Sequence, residues 1–161
     1  MKTESEMFSV MANYCAQTER CLFDVRKKIR AENFSRDEEK CIIDRLVSEK
    51  YIDEKRFSCS FVHDKFHLNR WGRIKITYEL KLRGIPSEIF YEAIETINED
   101  EYLTALAELL KNKKRLVKGR STQDIYQKLS RFAATRGFEP ELINRTIKRM
   151  FKNMDDDEYV E

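Results

Sequence analysis

The apolar positions of the chain fall into one pattern used three times. With Phe34, Ile85 and Phe138 as anchors, 51 and 53 residues apart, apolar side chains stand nine and twelve positions further on in each copy: Ile43 and Leu46, Ile94 and Ile97, Ile147 and Met150. Five positions before the anchor stand Ile29 and Leu80, and in the third copy Ala133 beside Phe132, as a one-residue insertion would leave it. Spacings of three and four residues line one face of an α-helix, so each copy predicts a helix, a break and a second helix. A further helix precedes each pair, over about 6–18, 54–70 and 100–116, the middle one carrying Phe57, Phe61 and Phe66. Units of this size bury their stripes against neighbours. The pattern therefore predicts an all-α fold: three tandem three-helix repeats, at 1–53, 54–99 and 100–152, forming an elongated, curved body, with an acidic tail at 153–161.

The breaks carry the same message. Arg83-Gly84-Ile85-Pro86 and Arg136-Gly137-Phe138-Glu139-Pro140 each read as a helix closed by a left-handed glycine and followed at once by a new helix. Asn33-Phe34-Ser35 is read as a third version, with Asn33 in the glycine position. Ser35 and Glu38 then form a capping box.

Composition narrows the class. Only four glycines and two prolines leave few turn residues for an all-β fold. With 41% apolar and 37% charged residues the chain is neither disordered nor membrane-embedded, and no apolar run reaches the roughly 18 residues of a spanning helix. MKTESEMFSV lacks the apolar stretch of a secretion signal. A cytoplasmic protein is expected, with Cys15, Cys21, Cys41 and Cys59 as free thiols, since none forms a CxxC pair.

Charge is segregated although the net value is only +2. Residues 65–87 carry six bases and one acid, 88–110 seven acids and no base, and 111–120 six bases and no acid. Segregation of this kind bears on partners rather than on fold.

The stretch Arg70-Trp71-Gly72-Arg73-Ile74-Lys75-Ile76, followed by Glu79-Leu80-Lys81-Leu82-Arg83-Gly84-Ile85, resembles the central signature of the RecX regulatory proteins. Leu46 through Phe57 is similar to an upstream segment of that family, with Lys50 where a glycine is common and Glu54 in place of an aspartate. Arg131 through Phe138 resembles its final element. The resemblance covers about residues 15–152 and rests on the order and spacing of these motifs. It implies an all-helical, three-repeat modulator that docks in the groove of RecA filaments on DNA, limits their growth or activity, and has no catalysis of its own.

Two basic blocks supply the expected contacts. Arg70, Trp71, Arg73, Lys75, Lys81 and Arg83 make the first, and Lys111, Lys113, Lys114, Arg115, Lys118 and Arg120 the second, with Arg131 and Arg136 beyond. Lysines and arginines that neutralise phosphate release counterions and gain affinity without reading sequence. The competing reading is that they solvate helix faces. Trp71 has two readings, stacking on a base or partner and packing between repeats.

Catalytic motifs are missing: there is no phosphate loop, no GxGxxG and no GxSxG. His63 and His67 have the H-x-x-x-H spacing of two ligands on one helical face, but no glutamate follows the first and there is no third histidine. They read as ordinary exposed helix positions. Glu38, Glu39, Glu99, Asp100 and Glu101 sit near helix starts, where the helix dipole stabilises negative charge. The expectation is a regulator and not an enzyme, a monomer with no cofactor, metal, membrane or small-molecule substrate, whose partners are the RecA filament and DNA itself, single or double stranded. A general DNA- or RNA-binding helical repeat protein without a recombinase is the rival reading.

Overall fold

The computed structural model describes residues 1–158, with side chains through Asn153, and among these residues there are nine α-helices and no strand. They are α1 (Glu4–Gln17), α2 (Leu22–Arg30), α3 (Arg36–Ser48), α4 (Glu54–His67), α5 (Arg73–Leu82), α6 (Ser87–Ile94), α7 (Glu99–Leu116), α8 (Thr122–Thr135) and α9 (Pro140–Glu158). The all-α expectation holds. The acidic tail lies outside the described residues except for the backbone of α9.

Local sequence explains where the helices begin. Thr3 and Glu6 close a capping box ahead of α1, and Ser35 and Glu38 do so ahead of α3 through bonds of 3.1 and 3.0 Å. Asn98 and Ser121 cap α7 and α8 by accepting from the N–H groups of Glu101 and Asp124. Glu99, Asp100 and Glu101 then occupy the first turn of α7, as their charge favours.

Three helices end in one geometry. At Gly84 (φ 74°) and Gly137 (φ 94°) the chain turns left-handed, and so it does at Lys50 (φ 63°). In each case the following residue reaches back five positions, Ile85 to Leu80 O at 3.1 Å, Phe138 to Ala133 O at 3.2 Å and Tyr51 to Leu46 O at 2.9 Å. The left-handed residue itself bonds three back, to Lys81, Ala134 and Val47. These are Schellman caps. Two expectations change as a result. The third cap is at Lys50 and not at Asn33, where Phe34 N–H bonds Glu32 O at 3.0 Å in a γ-type turn that needs no positive φ. Ala133, fully buried, stands in the third copy where Leu80 stands in the second, so no insertion separates them.

The described residues form two compact units. The first comprises residues 1–61 and 79–93, and its core joins Met7, Met11, Val25, Ile29, Ile42, Leu46 and Ile52. Phe90 and Ala93 are the buried residues of α6, whereas Ile94 and Ile97 are only half-buried, contrary to the expected stripe. The second unit comprises residues 62–78 and those from 94 onward, with α7, α8 and α9 packed on one another. Tyr102, Leu106 and Leu110 of α7, Leu129 of α8 and Ile147 of α9 are fully buried there. Phe66 and Phe138 set their ring centroids 5.7 and 5.1 Å from Tyr102. Each such side chain contributes roughly 1.5–3 kcal/mol on burial. α4 and α5 each give residues to both units.

Candidate functional site

In the second unit the start of α5 is held against the turn between α8 and α9. Gly72 N–H donates to Arg136 O at 2.8 Å and Ile74 N–H to Gly137 O at 3.0 Å, while Arg73 N–H donates to the Tyr102 hydroxyl at 3.1 Å. Orphan N–H groups at one helix start thus meet orphan carbonyls at another helix end. The approach requires glycine on both sides. A Cβ on Gly72 would stand 2.5 Å from Phe138 N, and one on Gly137 would stand 2.6 Å from Lys75 N.

Arg73 points into this junction. Its guanidinium bonds Glu139 at 2.9 Å and also Glu99, and it lies 3.9 Å over the Tyr102 ring. Burial works against its charge, yet the two carboxylates raise its pKa above the ordinary arginine value. Burial and the Glu139 carboxylate push the Tyr102 hydroxyl far up, so it stays protonated and donates to Glu139. Charge that the sequence offers to a partner is here satisfied inside the unit.

What remains outward is a basic and aromatic patch. Trp71 is half-buried, with Lys75 Nζ 4.3 Å and Lys65 Nζ 4.7 Å from its ring centroid. Arg70 beside it is exposed and left-handed (φ 56°). Arg136 is half-buried and donates to Asn69 O at 3.2 Å. The structure therefore brings Arg70, Trp71, Lys75 and Arg136 together, adds Lys65, and withdraws Arg73. Lys65 is not among the expected contacts, although its place six residues before Trp71, near the end of α4, is a signal the sequence carries.

The second basic block closes α7. Lys113 Nζ lies 4.7 Å from the Phe132 ring centroid and Lys114 Nζ 4.9 Å from that of Phe151, so both are half-buried over aromatic rings. They also sit in the last turn of α7, where the dipole favours cations. Lys111, Arg115, Lys118, Arg120 and Arg131 are exposed. The Asp124 carboxyl accepts the Arg120 N–H and is held below its usual value by that bond.

Lys81 and Arg83 belong to the first unit. Lys81 is exposed with its Nζ 5.6 Å from the Phe90 centroid, and Arg83 is half-buried and pairs with Asp24 at 3.1 Å. Asp24 in turn accepts the Cys21 N–H ahead of α2, and burial pushes the Cys21 thiol up to about 11. All four cysteines are free, Cys15 and Cys21 buried, Cys41 and Cys59 exposed. The His63 and His67 rings lie 4.4 Å apart on an exposed face. Among the described residues no group of three or more His, Cys, Asp and Glu could hold a metal ion. No described helix is long and apolar enough to cross a membrane.

Fold and site together define a helical-repeat protein with cations and an indole at the junction of α5 with the α8–α9 turn. Residues 53–94 match the second three-helix domain of RecX and residues 99–147 the third, which together exceed half of the chain. The chain belongs to the RecX family of regulatory proteins. The regulatory protein RecX of Clostridium tetani is 29% identical over 136 residues, 83% of this chain and 61% of that protein. That of Lactobacillus johnsonii is 20% identical over 160 residues, 99% of this chain and 59% of the relative. The chain thus spans about three fifths of the length of these curated relatives. The crystal structure of RecX from Lactobacillus salivarius shares the fold, with a TM-score of 0.81 at 20% identity over 91% of this chain and 95% of the other.

Proposed function

We propose that this protein regulates a RecA-type recombinase, binding its filament on DNA and restraining its recombinase, ATPase and coprotease activities, without catalysis of its own and in the cytoplasm. Membership of the RecX family carries the reading. The site supports it, because Arg70, Lys75, Lys111, Arg115, Lys118, Arg120 and Arg131 offer cations to phosphate or acidic protein surface while Trp71 offers a flat ring. Arg73 and Arg83 contribute less to a partner, because carboxylates of their own unit already meet their charge.

The test is RecA ATPase on single-stranded DNA with and without the protein. Dose-dependent slowing is expected, and charge reversal of Lys111, Arg115 and Lys118 to Glu weakens it at least about tenfold with helical content intact. Unchanged ATPase at saturating protein defeats the proposal. The Trp71 patch also favours a second reading, direct binding of nucleic acid with no recombinase. Salt-sensitive binding to naked DNA as tight as to RecA-coated DNA would select it.

A further inference from the structure

A second surface, in the first unit, has a different chemistry. A cavity of about 680 Å³ opens along α2, against the first residue of α4 and the last turn of α5. Its apolar walls are Phe23 and Leu82, large side chains left 48% and 57% exposed. Arg26, Lys27 and Arg30 line its cationic side. Arg26 and Arg30 share a single carboxylate, Glu39, at 3.9 and 3.3 Å, so the face keeps net positive charge.

Two lining residues carry unmet polar atoms. Glu54 Oε2 is a buried acceptor without a donor, and Arg83 Nε is a buried donor without an acceptor, both closed to solvent and so to a ligand in the groove. A phosphodiester could meet the cations but puts nothing apolar between Phe23 and Leu82. A peptide offers carboxylates and an apolar anchor on neighbouring positions. The apolar walls take a leucine or phenylalanine side chain, and the cations take neighbouring carboxylates.

We propose that this groove docks an acidic peptide segment bearing an apolar anchor, with its anchor between Phe23 and Leu82 and its carboxylates on Arg26, Lys27 and Arg30. The surface lies wholly within the first unit and stands independently of the nucleic-acid contacts proposed above.

Fluorescence anisotropy of the full chain with a labelled peptide, Ser-Asp-Asp-Leu-Asp-Phe-Asp-Glu-Ser, tests it. Saturable binding is expected, weakened about tenfold by Phe23→Ser or Leu82→Ser, and more by Arg26→Glu with Lys27→Glu. The walls are exposed, so circular dichroism should show these variants folded. A peptide with Asn and Gln for its acids should bind at least about tenfold more weakly, and charge reversal of Lys111, Arg115 and Lys118 should leave binding unchanged. Absence of binding overturns the proposal, as does binding indifferent to Phe23, Leu82 and Arg26. Displacement by an oligothymidylate whose own binding needs Phe23 would assign the groove to nucleic acid and also overturn it.

Discussion

Arg83-Gly84-Ile85 and Arg136-Gly137-Phe138 are one motif in sequence and one cap in geometry, yet they do different work. Around Gly84 nothing lies within 4 Å of where a Cβ would stand, so the first junction asks only for a left-handed residue. At Gly137 the same position is filled by Lys75, and the carbonyls of Arg136 and Gly137 hold the start of α5. The arginines diverge too. Arg83 lies beside a groove, paired with Asp24 and with an unmet Nε, whereas Arg136 bonds the Asn69 carbonyl across a closed junction. A short motif thus specifies how a helix ends, and its surroundings decide whether that end is a surface or a keystone.

The largest test of this contrast is Gly137→Ala, which combines a strained φ with a backbone clash and should cost about 3 kcal/mol or more, read by urea unfolding. A cost near that of the open junction would mean that Gly137 is not a keystone. Arg73→Ala, which leaves Glu139 and Tyr102 without their cation, should cost about 2 kcal/mol in the same assay. Gly84→Ala meets no atom and should cost only about 1 kcal/mol, the conformational penalty alone. Lys50→Gly runs the other way, since Lys50 holds a left-handed cap without glycine's freedom, and should stabilise by about 0.5–1 kcal/mol. No gain there would mean that the Lys50 side chain compensates for its strain.

The smallest effect concerns two carboxylates. Glu139 is paired with Arg73 and Tyr102, while burial raises the pKa of Glu54, with only Arg26 opposing. Between the ordinary glutamate range and this raised value the folded chain binds more protons than the unfolded one. Stability from this group therefore falls as pH rises through that window. Glu54→Gln should raise Tm at pH 7, with the gain fading toward about pH 4. An equal gain at both values would place the effect outside this titration.

The hydrophobic spacing, the capping residues and the rare glycines were enough to read the helical class, the helix preceding each break and the caps at Gly84 and Gly137, because these depend on neighbours three to five residues away. Lys50 escaped notice because a left-handed lysine leaves no mark in composition; it was visible only as a departure from a family pattern. Tertiary structure alone decided which basic residues face outward. Arg70, Arg73 and Lys75 are alike in sequence, but Arg73 meets Glu99 and Glu139, 26 and 66 positions away, and turns inward. Side-chain charge is a local property, whereas the partner that neutralises it is chosen by packing between distant segments.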